Sequence, residues 1–168
     1  MRKLNFLQIL LHFIATYCFI FLFRTLCWIY NIRVLELVEK YGVENVVKNF
    51  DRYGIQTTET WKVIEFPILA TLIGMFISII ISIIITIKKK WSLINCLVIF
   101  IVCYVVNYFN LPLFNYLEKF HTIRFTNNLL IQLLITCIIF GMAGTFIFFS
   151  KITNNLIENS TEKEKHYC

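Results

Sequence analysis

Four apolar runs, each long enough to cross a bilayer and together holding a single internal charge, constrain this chain more than any other feature. They fall at 4–30, 66–87, 91–109 and 129–149. A helix rises 1.5 Å per residue, so about 20 residues cross the ~30 Å hydrocarbon core of a membrane. Inside that core each backbone N–H and C=O must be satisfied within its own segment. The runs are therefore expected to be helices, despite their many Ile, Val and Phe residues. The expected fold is all-α, with four transmembrane helices in one membrane domain covering 1–168. Outer loops would occupy 31–65 and 110–128, and a tail 150–168.

Composition agrees. The chain is 58% hydrophobic and only 15% charged, where soluble domains are about 45–50% and about 25%. The first run follows Met1-Arg2-Lys3, as a signal peptide would. A signal core, however, is about 7–15 residues long and ends in small residues. This run is longer, and its one alanine, Ala15, precedes Thr16-Tyr17. It is expected to be retained as the first span.

The net charge is +6. Arg2-Lys3, Lys88-Lys89-Lys90 and Lys151 sit at the ends of apolar runs, where topology signals sit, and no basic face interleaved with aromatics is visible. Nucleic acid is excluded as a partner on that ground. Lys88-Lys89-Lys90 makes up nearly the whole connection between the second and third runs. So tight a cationic turn marks the cytoplasmic side. Four spans then place both termini on that side, in a plasma membrane or the inner membrane of a bacterium. Trp28, Tyr30, Trp61, Trp91, Tyr108 and Phe109 fall at span ends and are expected to form aromatic belts.

Cys18, Cys96, Cys103 and Cys137 lie inside apolar runs, Cys27 at the end of one, and Cys168 in the tail. A disulfide scaffold would place its cysteines in loops. These are expected to pack as small apolar residues.

The outer segment 31–61 reads as two short amphipathic helices divided by Gly42. Val34, Leu35, Val38 and Tyr41 form one apolar set, and Val43, Val46, Val47 and Phe50 a second that Gly54 closes. Glu36 with Lys40 and Glu44 with Lys48 form favourable i,i+4 pairs. This hairpin either lies passively over the bundle or forms a cap that binds a partner or ligand. The second outer loop carries Pro112, Leu113, Phe114, Leu117 and Phe120 and is expected to hold a short interfacial helix. Glu118 and Lys119 would face water there, followed by His121 and Arg124. Glu158–Cys168 is polar enough to be expected disordered.

Polar residues within the runs give the remaining leads. In the second run Ala70, Gly74, Ser78, Ser82 and Thr86 form a ladder at spacing four, on nearly one helix face. Small side chains there let another backbone approach. The ladder serves intrachain packing, an oligomer seam or a narrow polar path. Gly141 and Gly144 in the fourth run, with Gln132 and Thr136, offer a counterpart surface. Gln8, His12 and Thr16 repeat the spacing of four in the first run. His12 is either a hydrogen-bonded packing residue or part of a proton relay. Asn95 and Asn107 suggest interhelical hydrogen bonds. Arg24 either snorkels to the outer boundary or pairs with Glu65, which lies at similar depth.

No catalytic constellation emerges. Quinone-linked thiol oxidation would need cysteine pairs in the outer loops, and those loops hold none. Aspartyl proteolysis needs two aspartates, and Asp51 stands alone. A bis-histidine haem needs paired ligands, yet His12, His121 and His166 occupy three regions. Neither a nucleotide loop nor metal-ligand spacing is present, so no cofactor is implied. The expected function is that of a small non-catalytic membrane protein, an accessory subunit or modulator packing against another membrane protein. The other readings are a small transporter or channel built as a homo-oligomer, and an immunity-type protein that blocks a membrane-active toxin.

Overall fold

The computed structural model describes residues 4–108 and 124–166, and the regular structure among them is entirely helical. Helix α1 runs Phe6–Tyr30, α2 Ile32–Tyr41, α3 Val43–Lys48, α4 Thr57–Lys88, α5 Leu93–Tyr108, α6 Leu129–Phe149 and α7 Lys151–His166. A 3-10 turn lies at Asp51–Tyr53. Three segments are long and apolar enough to span a membrane: Phe6–Tyr30, Glu65–Lys88 and Leu129–Phe149. The apolar part of α5, Leu93–Asn107, is shorter.

Asparagines start two of the spans. The Asn5 side chain accepts from the N–H of Gln8 at 2.9 Å, and that of Asn128 from the N–H of Ile131 at 3.1 Å. Each satisfies a donor that the first helical turn leaves orphaned. Helix α4 begins well before the second apolar run, so the first outer loop is shorter than its 31–65 expectation. The Glu59 carboxylate reaches back to the Gln56 N–H at 3.1 Å and secures that early start. Pro67 lies in the interior of α4.

Helix α1 is the hub. It packs along both α4 and α6, while α5 leans on α4 and α1. Tyr17, Ile20 and Phe21 join Met75, Ile99 and Cys103 in one core cluster. Ala15 and Phe19 join Ile85, Trp91, Phe148 and Ile157 in another. The outer surface is also apolar. On α4, Leu72, Phe76, Ile80 and Ile84 are 44–54% exposed, on the face opposite the small-residue ladder. Apolar patches of such extent do not stay in water, and they suit a surface solvated by lipid chains.

The lysine turn ends α4 in a Schellman arrangement. Lys90 adopts a left-handed φ of 55°. The Lys90 N–H donates to Ile87 O at 3.1 Å and the Trp91 N–H to Thr86 O at 2.9 Å. Trp91 then folds back into the cluster containing Ile85, the hydrophobic contact typical of this motif. Trp91 is 8% exposed, so it is a core residue and not part of an aromatic belt. The side chains of Trp61 and Tyr108, and Phe109, lie outside the described residues.

The tail also departs from expectation. Glu158 to His166 continues helix α7. Thr153, Asn154 and Ile157 form its buried stripe, with Ile157 fully enclosed. Burial of that stripe holds the helix where composition alone suggested disorder. Asn5 donates to Ile157 O at 3.1 Å and to Ser160 Oγ at 2.8 Å, and Lys89 meets Glu158 at 2.9 Å. The start of α1, the lysine turn and α7 thus gather at one end of the bundle.

The hairpin of α2, α3 and the 3-10 turn, called the cap below for its position alone, lies at the other end. Gly42, at φ 81°, separates α2 from α3, and Gly54, at φ 63°, ends the 3-10 turn. Val34, Val46 and Ile55 form a small core of their own. Arg124 pairs with Glu39 of α2, tying the segment just before α6 to the cap. Of the second outer loop, Pro112, Leu113, Phe114, Leu117, Glu118, Lys119, Phe120 and His121 lie outside the described residues, as do Arg2, Lys3 and Cys168.

Candidate functional site

The two ladders at spacing four meet each other. Helices α1 and α4 run antiparallel, so each step of four up α1 meets a step of four down α4. Gln8 Nε2 donates to Thr86 Oγ1 at 2.8 Å. His12 Nδ1 and Ser82 Oγ share a hydrogen bond of 2.7 Å. Thr16 Oγ1 and Ser78 Oγ lie 2.6 Å apart, and the Thr16 hydroxyl also reaches its own helix at His12 O, 2.8 Å away. One step further, Gly74 meets the backbone of α1. A Cβ placed on Gly74 would stand 2.8 Å from Ile20 Cα and 2.9 Å from Phe19 O. Ala70, 8% exposed, ends the ladder. Small residues thus serve two purposes on one face: hydroxyls where α1 offers polar partners, and no side chain at all where it offers backbone.

A third helix completes the network. Asn95 of α5 donates through Nδ2 to Gln8 Oε1 at 2.5 Å, and its Oδ1 accepts from the Asn5 N–H at 3.2 Å. The Cys96 thiol donates to Thr86 Oγ1 at 3.3 Å and lies 3.5 Å from Ser82 Oγ. An unbroken hydrogen-bonded chain therefore runs from Asn5, at the end of the bundle, to His12. Gln8, His12, Thr16, Ser78 and Thr86 are fully buried, and Ser82 and Asn95 are 1% exposed. Such groups cost heavily in hydrocarbon unless paired, and here they pair with one another.

His12 has a second side. Its Nε2 is buried without a hydrogen-bond partner among the described residues. Phe148 stands close to perpendicular to the imidazole, with centroids 5.1 Å apart, and Trp91 lies 6.2 Å away. The ring is thus anchored through Nδ1 and enclosed by aromatics on α6 and at the start of the third run.

The remaining polar positions fall elsewhere. Gly144 and Gly141 face α1 and not the α4 ladder. A Cβ on Gly144 would meet the Phe19 ring at 2.9 Å, while one on Gly141 would meet Leu22 at an ordinary 3.8 Å. Thr136 bonds its own helix at Gln132 O, and Gln132 Oε1 accepts from the Phe125 N–H at 2.7 Å. Asn107 bonds its own helix at Cys103 O, 2.8 Å away, instead of reaching across. Arg24 is half-buried, its guanidinium 6.0 Å from the centre of the Phe21 ring, and Glu65 is exposed. Lys89–Glu158 and Arg124–Glu39 are ion pairs among the described residues.

Two members of the network escaped the reading from sequence. Asn5 was legible as an N-cap, being an asparagine directly before an apolar helix. Cys96 was expected only to fill space, yet its thiol bridges the hydroxyls of α4, and nothing in its spacing says so. Cys18, Cys27, Cys103 and Cys137 are likewise free thiols. Among the described residues no group of three or more His, Cys, Asp or Glu comes together as a metal site. No protein-family model, curated protein or solved structure matches the chain.

Proposed function

We propose that this protein is a small non-catalytic integral membrane protein, an accessory subunit or modulator that packs against another membrane protein. It is a four-span bundle of the plasma membrane, or of a bacterial inner membrane, with both termini and the lysine turn on the cytoplasmic face. The observation that carries the reading is the closure of the ladder. Polar groups at membrane depth bond one another within the chain, and the outward faces of α4 and α6 are largely apolar, with the exposed Thr145 hydroxyl bonded back to its own helix at Gly141 O. A transporter needs polar groups that face a path. Here the chain of polar contacts ends where Gly74 meets the Ile20 backbone.

The fourth span in this reading is α5, whose apolar part is Leu93–Asn107. Asn95 bonds to Asn5 at the end that holds the lysine turn, while Arg124 bonds to Glu39 in the cap at the other end. Lys88, Lys89, Lys90 and Lys151 are exposed at the first end, a concentration that favours the cytoplasmic side.

Cross-linking in native membranes, followed by purification of the tagged chain, tests the proposal. The expected result is a distinct membrane protein recovered at fixed stoichiometry. Recovery of the chain as a homo-oligomer that conducts ions in planar bilayers would replace this reading with a channel.

A further inference from the structure

The joint between cap and bundle is not filled by protein. A cavity of about 210 Å³ lies there, to which α1 contributes Cys27 and Trp28, α2 contributes Val34, Leu35 and Val38, and α4 contributes Pro67. Its depth follows from those residues. Cys27 and Trp28 belong to the last turns of the first apolar helix, and Pro67 lies just inside the span that begins at Glu65. Close by, Tyr30 and Phe66 stack at 5.8 Å. The cavity thus sits at the membrane boundary, whichever compartment the cap faces.

Its chemistry narrows the occupant. A buried water needs about two to four polar partners. Asn31 is the one amide on the wall, and its Nδ2 already donates to Cys27 O at 3.0 Å. Water is poorly held in such a space, while an unfilled void forfeits dispersion contacts along its whole lining. Hydrocarbon satisfies both conditions, and at this depth lipid chains are the surrounding medium. The cap also has reason to need a filler. Its own core is only Val34, Val46 and Ile55 with the half-buried residues around them, and its tie to the segment just before α6 is an exposed ion pair.

We propose that this cavity binds one acyl chain of a membrane phospholipid, which wedges between α1 and α2 and seats the cap on the bundle. The chain is held by contact with apolar side chains, without headgroup recognition. The bound lipid is therefore selected by chain and not by charge.

Native mass spectrometry of the full-length protein, released from detergent micelles containing phosphatidylethanolamine and phosphatidylglycerol, tests this. The wild type is expected to keep one phospholipid of either class after the other lipids are stripped. Leu35→Trp and Val38→Phe each fill the cavity from α2 and are expected to lower that occupancy about tenfold. Leu72→Phe adds bulk on the lipid-facing side of α4 and is expected to leave it unchanged. Added lipid should raise the melting temperature of the wild type and not that of the filled variants. Should Leu35→Trp fail to fold, Val38→Phe carries the comparison. Equal lipid retention in all four proteins would overturn the proposal, as annular lipid only. So would a wild type that keeps none, or a peptide mass bound in place of lipid.

Discussion

Gly74 and Ile20 meet backbone to backbone. A Cβ on Gly74 would lie 2.8 Å from Ile20 Cα and 3.0 Å from Ile20 N. Atoms of the main chain cannot turn aside as a side-chain tip can, so α1 and α4 would have to separate to admit even one methyl group. That contact fixes the helix spacing at which the Gln8, His12 and Thr16 rungs reach their hydroxyl partners.

A graded glycine series follows. Gly74→Ala is expected to destabilise the bundle by about 1–3 kcal/mol, the usual range for overpacking. Gly144→Ala should cost less, because the Phe19 ring it meets at 2.9 Å can shift, and Gly141→Ala should be tolerated. Thermal unfolding in a lipid-like detergent gives the order. Equal effects at all three positions would remove the close-approach argument.

The rungs should also differ among themselves. Ser78→Ala leaves the Thr16 hydroxyl its bond to His12 O and is expected to cost about 0.6 kcal/mol, the average for an interhelical hydrogen bond in a membrane. Thr86→Val removes the acceptor of both Gln8 Nε2 and the Cys96 thiol. Leaving buried donors unmatched costs about 1–3 kcal/mol. The measurement is again the melting temperature, and Thr86→Val should lower it clearly more than Ser78→Ala.

Lys90 carries a strain that can be relieved. Its φ of 55° is a conformation that glycine adopts freely and other residues adopt at a cost. Lys90→Gly is expected to stabilise the protein by about 1 kcal/mol, while Lys88 and Lys89 still mark the turn. A lower melting temperature would mean that the Lys90 side chain makes a stabilising contact of its own.

Asn5 does two jobs that one substitution separates. Its Oδ1 caps α1 through the Gln8 N–H, and its Nδ2 holds α7 through Ile157 O and Ser160. Asn5→Asp keeps an acceptor for the cap and loses the donor. Hydrogen exchange is expected to rise across 151–160 and to stay slow at Gln8. Asn5→Ala should raise exchange at both places, the lost cap costing about 1 kcal/mol.

These expectations show what spacing can and cannot reveal. The steps of four in α1 and α4 were visible as faces, because helical periodicity is a property of one segment. That the two faces met each other was not visible, since periodicity names a face and not its partner. The same limit left the partner of Gly141 and Gly144 open; both face α1, Gly144 closely and Gly141 at ordinary contact distance. The bounds of α6 were legible because its apolar run is uninterrupted from Leu129 to Phe149. Trp91 and α7 were misread for a different reason. Trp91 is drawn inward by the turn at Lys90, and α7 is ordered by burial of Ile157. Both effects arise from tertiary contacts that a local reading of charge and polarity does not contain.

The most direct test of the membrane architecture is side-specific labelling of single cysteines at Lys89, Glu158 and Glu44, placed in a background without the native cysteines. Lys89 and Glu158 form one ion pair at the lysine end, and Glu44 lies in the cap. The four-span arrangement predicts that an impermeant maleimide applied from outside modifies position 44 in intact cells and reaches 89 and 158 only after the membrane is opened. Labelling of 89 or 158 from outside, or of 44 only from within, would contradict it.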